Sequence, residues 1–472
     1  MPVASLNDTV PCSVPPRFSP DPDRVEIKIA YIGGGSREWA VKLMGDLALT
    51  DRLHGQLDLY DIDLEAALQN EQLSREIFSH PEARTSFRVT ARKTLQEALK
   101  GADFVIISIE PGPIQLRHAD LEIPARYGIL QTVGDTTGPG GILRALRCVP
   151  IFRQFAREIL EHCPRAWVIN YTNPMAVCTA ALHTEAPQLK VFGCCHEVFG
   201  TQQMLAEIVK RKTGRLPGRH EIELDLAGVN HFTWATGARW NGHDLFPEIS
   251  SMISREDFFS SRQEKARQAK SNGDWFSHSG LVAYDLFRRF GALGAAGDRH
   301  LVEFVPWYLV SEEELHRWGV VLTPYSWRVE RTRKPRLGLG NLRDGLQESG
   351  EEGVKQIEAL LGLRTLTTNV NLPNTGQVPD VPKGSIVEGY AEFRKDSIRP
   401  LISDPLPLSA LSFVQRAVHE QTLTLTAAIH CDRHLAFQAL LTHPLVRLST
   451  DKAWNMFGEM IEATQSMLPG WN

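Results

Sequence analysis

The sequence Val-Glu-Ile-Lys-Ile-Ala-Tyr-Ile-Gly-Gly-Gly-Ser occupies residues 25–36. Within it, residues 25–32 first alternate between apolar and polar side chains and then become apolar, which is typical of a strand that enters the interior of a sheet. Glycines follow at once at positions 33–35, and residues 37–49 then carry apolar side chains at helical spacing. A strand, a glycine turn and a helix in this order predict the opening unit of a parallel α/β sheet.

Further strand and helix patterns alternate along the first half of the chain. Apolar segments of strand length are separated by helical patterns, the first of which covers residues 62–79. Because parallel strands need helical crossovers, this alternation predicts a Rossmann-like, doubly wound parallel sheet. The predicted strands after the first cover residues 57–61, 104–109, 167–170 and 191–193.

The alternation fades after about residue 205 and gives way to mixed α+β patterns. Residues 224–234 predict a strand and a turn, and residues 409–430 predict a long core helix. Residues 328–353 are rich in charge and glycine, so we expect an exposed loop or hairpin whose basic residues, Arg328 among them, form a solvated face or a functional basic patch. We therefore predict an N-terminal arm over residues 1–24, a Rossmann-like domain over 25–205 and an α+β catalytic domain over 206–472.

The composition is that of a soluble globular protein. Apolar residues make up 42% and charged residues 23% of the 472 positions, which is ordinary for a soluble protein. The net charge of −5 has interspersed signs and argues against nucleic acid as the main partner. There is no apolar run of membrane-spanning length, so we expect no membrane association. The seven scattered cysteines form no CxxC pair, which favours a reducing cytoplasm.

The glycine turn predicts a phosphate cradle at a helix N-terminus. Gly33 and Gly35 match the GxGxxG fingerprint, but Glu38 stands at the third glycine, and a tight turn without a ligand is the alternative. Asp61 ends the second predicted strand, where a carboxylate binds the ribose hydroxyls of NAD and repels the extra phosphate of NADP. It could instead be a helix N-cap, and Asp63 competes for either role. The predicted NAD site comprises Gly33, Gly34, Gly35, Ser36, Asp61 and Ile109.

Short polar segments follow three of the predicted strands, where catalytic groups belong in such a sheet. A cysteine, a histidine and nearby carboxylates or amides could build a metal site with open positions. Cys195 and His231 lie 36 residues apart, which matches no zinc-finger spacing, so a buried thiol and a core histidine are the alternative. The segments are Asn170–Pro174, Gly193–Val198 and Gly228–Phe232.

Two further segments carry polar residues in unusual density. Residues 297–304 place ionisable side chains beside an apolar stretch and form either part of the site or a surface turn before a strand. Residues 134–141 form a glycine-rich polar loop that is too long for a simple turn. This loop either covers the cofactor or is plainly mobile.

Taken together, these motifs resemble family 4 glycoside hydrolases. The resemblance runs from about Ile27 to the C-terminal helices, and the Cys-His-Glu-Val form at residues 195–198 looks like the α-galacturonidase branch. The motifs that carry it are Gly33–Ser36, Gly138–Gly141, Asn170–Pro174, Cys195–Val198, Val229–His231 and Asn371–Asn374.

The resemblance implies roles for individual residues. Cys195 and His231 look like ligands of manganese, and His196 looks like the general acid. The general base is left open between Tyr284 and Asp298. The residues that resemble the family's substrate contacts are Arg117, Asn173 and Arg299.

The resemblance also implies a redox-neutral reaction. NAD oxidises carbon 3 of the sugar, a base removes the acidified proton of carbon 2, the leaving group departs, water adds and the sugar is reduced again. The expected substrate is an α-galacturonide or another uronic acid glycoside or oligosaccharide, and the expected assembly is a homo-oligomer, dimer or tetramer. The alternatives are a glucuronide, galactoside or glucoside as substrate, a plain NAD-dependent hydroxy-acid or sugar dehydrogenase, and an NAD-sensing module.

Overall fold

The computed structural model describes residues 24–272, 275, 279–333 and 345–471. The predicted N-terminal arm therefore lies outside the described residues, except for Arg24. Within the part of the chain that is described, every helix is too short or too polar to cross a membrane.

The first half of the chain builds a parallel sheet in the order β3-β2-β1-β4-β5-β6. All five pairings along this order are parallel. The chain starts in the middle and winds outward in both directions, which is the doubly wound arrangement predicted from the sequence. The strands are β1 (Val25–Ile32), β2 (Leu53–Tyr60), β3 (Phe87–Arg92), β4 (Phe104–Ile107), β5 (Trp167–Asn170) and β6 (Lys190–Gly193).

Helices cover both faces of this sheet. Strand β4 is buried along its whole length, and its side chains alternate between two cores, with Phe104 and Ile106 on one face and Val105 and Ile107 on the other. The helices of this half are α1 (Trp39–Leu49), α2 (Leu64–Phe78), α3 (Leu95–Leu99), α4 (Leu116–Arg126), α5 (Gly138–His162), α6 (Met175–Glu185) and α7 (Glu197–Thr213).

The second half extends the same sheet with antiparallel strands. Strand β6 pairs with β11, and the order continues β11-β12-β7-β8-β10. The predicted strand and turn at 224–234 correspond to the β7–β8 hairpin, whose turn carries Asn230 and His231. These strands are β7 (Ile222–Val229), β8 (Phe232–Trp240), β9 (His243–Asp244), β10 (Leu293–Gly294), β11 (Leu366–Pro373), β12 (Ile386–Arg394) and β13 (Ser397–Pro400).

The remaining helices pack around this extension. The long core helix predicted over 409–430 is α15, and the predicted domain boundary at residue 205 falls inside α7. The helices are α8 (Phe246–Ile253), α9 (Phe258–Ser271), α10 (Leu281–Phe290), α11 (Asp298–Phe304), α12 (Glu312–Arg317), α13 (Tyr325–Arg333), α14 (Gly353–Leu360), α15 (Leu408–His430), α16 (Arg433–Thr442) and α17 (Thr450–Thr464).

Two segments of this half differ from the sequence prediction. Residues 297–304 form a mostly buried helix rather than a surface turn before a strand, because the apolar side chains of Leu301, Val302 and Phe304 pack into the core. The expected loop or hairpin over 328–353 begins inside helix α13, which ends at Arg333. Residues 334–344 lie outside the described part of the chain.

A buried amide fixes the glycine turn between β1 and α1. Asn70 on α2 is fully buried, and its Nδ2 donates to the carbonyl oxygens of Gly34 and Ser36 at 2.7 and 2.8 Å. A buried carbonyl without a donor is costly. The crossover helix α2 therefore fixes the backbone of the glycine turn through these two hydrogen bonds.

Replacement of Asn70 by alanine should lower the free energy of unfolding by about 1–3 kcal/mol, because it removes the donor from two backbone carbonyls. Urea denaturation followed by circular dichroism measures this change. The matched control is Gln69→Ala, an exposed neighbour on the same helix, which should stay within about 0.5 kcal/mol of the wild type. Equal effects of the two substitutions would contradict this role for Asn70.

Candidate active site

The glycine turn lies directly against the ends of β2 and β4. The N–H groups of Gly33 and Gly34 both donate to the carbonyl of Tyr60, at 2.8 and 2.9 Å. Gly33 has a φ of +92°, and a Cβ there would lie 1.9 Å from the carbonyl oxygen of Ser108. Only glycine fits this position, both for its backbone conformation and for the space available.

Asp61 and Asp63 have separate roles in the structure. The Oδ2 of Asp61 accepts the N–H of Gly35 at 2.8 Å, and its side chain borders a large cavity. Asp63 is the N-cap of α2, and its Oδ1 accepts the N–H of Ala66 at 3.0 Å. The capping alternative considered for Asp61 thus belongs to Asp63, and Asp61 is positioned for a ligand in the cavity.

One cavity of about 1170 Å³ borders most of the predicted NAD site and one predicted substrate residue, Asn173, whereas the predicted metal ligands Cys195 and His231 are not part of its described lining. From the glycine-turn side its wall includes Gly33, Gly35, Ser36, Asp61 and Ile109. Asn173 lines the same cavity, together with three charged residues that the sequence prediction did not include, Glu110, Asp135 and Arg144.

Two histidines and a carboxylate lie close together where Asp135 lines the cavity. One ligand atom from each of Asp135, His231 and His300 lies within 4.8 Å of the others. The two imidazole rings are 3.8 Å apart between centroids. Two histidines with one carboxylate form a donor set that suits manganese or iron.

A hydrogen-bond chain fixes the tautomer of His231. The hydroxyl of Thr136 donates to Asp135 Oδ1 at 2.7 Å and lies 2.8 Å from His231 Nδ1. Since the single hydroxyl proton goes to the carboxylate, the hydroxyl accepts from Nδ1–H. Burial and the neighbouring His300 lower the pKa of His231 to about 3. The neutral ring therefore keeps a lone pair on Nε2 that can bind a metal.

The carboxylates of this cluster are held in their charged form. Burial alone would raise the pKa of Asp135, but neighbouring positive charge, above all that of Arg117, outweighs burial and holds it well below its usual range. Glu197 behaves alike: its Oε2 accepts the N–H of Gly297 at 2.8 Å, and nearby histidines outweigh burial and lower its pKa to about 2. Both groups can therefore face a cation at neutral pH.

Cys195 is not a member of this three-residue group, but Glu197, which His300 and His231 influence, also acts on its thiol. Cys195 is buried, and the side chain of Asn369 donates to its carbonyl oxygen at 2.9 Å. Burial and the charges of Glu388 and Glu197 raise the pKa of its thiol well above the ordinary value. A thiolate at this position would need the charge of a bound cation.

The predicted substrate residues surround the loop that carries Asp135. Asn173 places its Nδ2 at 3.5 Å from Asp135 Oδ2, and its Oδ1 is buried without a partner among the described residues. Arg117 donates from Nε and Nη2 to Glu110 at 3.2 and 3.3 Å. Arg299 donates to the hydroxyl of Thr323 at 2.6 Å.

His196, the predicted general acid, is the N-cap residue of α7. Its Nδ1 lies 3.4 Å from Glu351 Oε1, and its ring packs on Trp39 at 5.6 Å between centroids. Burial lowers the pKa of His196, but the hydrogen bond and charge of Glu351, with Glu197, outweigh burial and raise it above the usual value. The ring therefore holds a proton more readily than an isolated histidine.

Neither candidate for the general base borders the cavity within the described residues. Tyr284 is fully buried on α10 beside Phe258, and burial raises its pKa to about 12. Asp298 accepts from the hydroxyl of Ser279 and the N–H of Ala283 at 3.0 and 3.1 Å. Both assignments stay predictions, and the contacts of Asp298 are those of a residue that stabilises the start of α10.

Comparison with known proteins identifies the family. A model described as family 4 glycosyl hydrolase matches residues 28–211, and the model of the C-terminal domain of that family matches residues 226–446. The chain belongs to family 4 of the glycosyl hydrolases. It is therefore a glycosidase, and the resemblance stated from its motifs is confirmed.

The curated relatives match almost the whole chain. An α-galacturonidase of Thermoanaerobacterium saccharolyticum is 46% identical and aligns over 94% of this chain and 97% of the relative. An α-galacturonidase of Bacillus subtilis is 43% identical over 93% and 97%, respectively. An α-galactosidase of Bacillus subtilis is 30% identical over 94% of this chain and 99% of the relative.

Solved structures share the fold. The crystal structure of lplD from Bacillus subtilis has a TM-score of 0.84 and 42% identity, covering 92% of this chain and 99% of that one. A 6-phospho-β-glucosidase of Thermotoga maritima, solved with manganese, NAD+ and glucose 6-phosphate, has a TM-score of 0.71 and 20% identity, covering 93% and 99%.

Asp135 and His300 were absent from the predicted metal site of this family 4 enzyme. Both stand in segments that the sequence marked as unusual, the glycine-rich loop at 134–141 and the polar segment at 297–304. Their spacing along the chain gives no metal signature. The signal available was the density of polar residues next to apolar stretches, which indicates a site without naming its members.

A buried carboxylate supports the Asp135 loop from behind. Glu420 on α15 is buried, and its Oε1 accepts the hydroxyl of Thr137 at 2.9 Å. Burial raises the pKa of Glu420 to about 7, compared with about 4.3 in an unfolded chain. Between these values the native state binds more protons than the unfolded state, so this group's contribution to stability falls as the pH rises.

Replacement of Glu420 by glutamine should remove that pH dependence. The stability of the variant relative to the wild type should increase by roughly 1–3 kcal/mol from pH 5 to pH 8, because the wild type alone must ionise a buried acid. Urea denaturation at both values measures the change. The exposed control Glu462→Gln should show the same difference from the wild type at both pH values. A difference between Glu420→Gln and the wild type that is equal at pH 5 and pH 8 would refute the argument.

Proposed function

We propose that this glycosidase hydrolyses α-linked galacturonides, with NAD and a divalent metal, most simply manganese, as its cofactors. One observation carries the proposal: the cavity that borders the glycine turn and Asp61 also borders Asp135 and Asn173. A dinucleotide on the turn and a metal at Asp135 would therefore share one space with the sugar.

Support for the sugar comes from relatives and from charge. Relatives that are 41–46% identical over more than nine-tenths of the chain are α-galacturonidases. The loop before Asp135 lies among arginine side chains, including Arg117 and Arg299. A buried sugar carboxylate needs such donors, because an unpaired buried charge is costly. The neutral α-galactoside is the second candidate, since α-galactosidases are among the relatives.

The residues present fit both cofactors. Gly33, Gly34, Gly35 and Ser36 would cradle the pyrophosphate, and Asp61 would bind the ribose. Asp135, His231 and His300, with Cys195 alongside, would hold the metal. When bound, NAD supplies a hydride acceptor for carbon 3 and the metal a Lewis acid for the sugar oxygens, which together make a redox-neutral oxidation, elimination, addition and reduction of the sugar feasible.

The protein's own groups would orient the sugar and move its protons. Asn173 carries a buried Oδ1 that can accept from a sugar hydroxyl. His196, whose pKa is raised by Glu351, would protonate the leaving oxygen. The base stays a prediction between Tyr284 and Asp298. The homo-oligomer and the cytoplasmic location expected from the sequence are likewise predictions.

The decisive assay compares nitrophenyl α-galacturonide with nitrophenyl α-galactoside in the presence of NAD, manganese and a reductant. The galacturonide should be hydrolysed much faster, and NADH absorbance should show no steady rise because the cofactor ends unchanged. Omission of either cofactor should abolish turnover. Stoichiometric NADH would indicate a dehydrogenase, and faster turnover of the neutral sugar would refute the uronate.

Replacement of Cys195 by serine tests the thiol as a metal ligand. The variant should fold, lose bound manganese and lose about 100-fold or more of its turnover, since even groups that only support a ligand cost 10–100-fold. Metal analysis of the purified protein measures the first effect. The matched control is Cys194→Ser, because Cys194 is equally buried but belongs to the core on the other side of the sheet. Full metal content in Cys195→Ser would exclude the assignment.

A further inference from the structure

Helix α13 contacts the segment that follows the glycine turn, helix α4 and the backbone just before Asp135. Its Arg331 forms an ion pair with Glu38, the residue that stands at the third glycine of the fingerprint. Its Tyr325 packs edge-on against His118 of α4, 5.5 Å between ring centroids. One turn before Arg331, Arg328 reaches the carbonyl oxygen of Val133 from Nη2 at 3.5 Å.

Three guanidinium groups converge on the backbone just before Asp135. Arg117 Nη1 and Arg328 Nη2 both lie 3.5 Å from the carbonyl oxygen of Val133. Arg299 Nη2 lies 3.4 Å from the carbonyl oxygen of Thr132. The positive charge is thus concentrated within three residues of the candidate metal ligand Asp135, which itself lines the cavity.

The three arginines differ in their hydrogen-bond partners. Arg117 binds both carboxylate oxygens of Glu110, and Arg299 has the hydroxyl of Thr323 at 2.6 Å. Arg328 has only the long contact with Val133, and its Nε is buried without an acceptor among the described residues. Of these three arginines, Arg328 is the one whose guanidinium has no hydrogen bond or ion pair with a side chain among the described residues.

The nearby carboxylates do not compensate Arg328. Asp135 and Glu110 are close enough to influence its charge, but Glu110 already binds Arg117 and Arg144. Burial and the charge of Arg117 lower the pKa of Arg328 to about 10. The group is still charged at neutral pH, so it remains a cation that needs an anion. A buried charge is stable only when it is paired and hydrogen-bonded.

We propose that Arg328 binds the carboxylate of the uronic acid and sets the preference for it over the neutral sugar. A guanidinium fork can donate to both oxygens of a carboxylate, which neither a lysine nor a neutral side chain reproduces. This inference rests on the proposed function and adds the residue that recognises the carboxylate of the sugar. The basic segment at the start of 328–353, for which a solvated face was the alternative, thereby gains a role.

Replacement of Arg328 by glutamine tests the proposal in the full enzyme with NAD and manganese. The kcat/KM for nitrophenyl α-galacturonide should fall about 30-fold or more, as expected when one partner of a buried charge pair is removed. The kcat/KM for the neutral galactoside should stay within about threefold or rise. Arg328→Lys, which keeps the charge but not the fork, should lie between the two.

The matched control is Arg331→Gln, one turn further along the same helix. It breaks the ion pair with Glu38 and should affect both sugars alike, so the ratio of the two kcat/KM values should not change. A ratio in Arg328→Gln equal to that of the wild type would overturn the proposal while the galacturonidase activity of the wild type stands. If Arg328→Gln does not fold, an unchanged ratio in Arg328→Lys has the same meaning.

Product binding gives a second readout that needs no turnover. Free galacturonic acid should raise the melting temperature of the wild type with its cofactors but not that of Arg328→Gln, whereas galactose should act on both alike. Equal stabilisation of the two proteins by galacturonic acid would overturn the proposal. Wild-type enzyme that hydrolyses only the neutral galactoside would refute the proposed function first, and the inference would fall with it.

Discussion

The site depends on a carboxylate that holds a loop by its backbone. Glu303 on α11 is buried, and its Oε1 accepts the N–H groups of both Val133 and Gly134 at 2.7 and 2.9 Å. This contact fixes the backbone immediately before Asp135. It sets Asp135 against His231, and it presents the carbonyl oxygens to which the arginines donate. A helix of the second half thereby positions a loop of the first half at the proposed metal site.

The continuous sheet explains why such contacts can form. Parallel strands place all their carboxyl ends at one edge, and the antiparallel strands that follow β6 extend this edge toward the β7–β8 turn with His231. The glycine turn and Asp135, which lies close to His231, thus border one cavity. Helix α13 links the two halves of the chain here, because its Arg331 forms an ion pair with Glu38, the residue at the third glycine position of the fingerprint.

The sequence predicted what local patterns encode. The strand, glycine turn and helix, the parallel order and the long helix α15 all follow from hydrophobic periodicity and turn chemistry, which act over neighbouring residues. Asp135 and His300 could not be joined to His231 in this way, since their proximity depends on the packing of three separate elements. Arg328 looked like part of a solvated segment because charge density alone does not report burial, and its surroundings come from α4 and the Asp135 loop.

The central claim is that cofactor chemistry and metal chemistry act on the same sugar ring in one cavity. Hydrolysis of an α-galacturonide in D2O, with NAD and manganese, tests this claim by NMR of the released galacturonic acid. If carbon 2 is deprotonated during the reaction and the proton on the base exchanges with the solvent, the released galacturonic acid should carry deuterium at carbon 2. Product formed at full rate with its original hydrogen at carbon 2 would contradict the account and indicate a direct displacement at carbon 1.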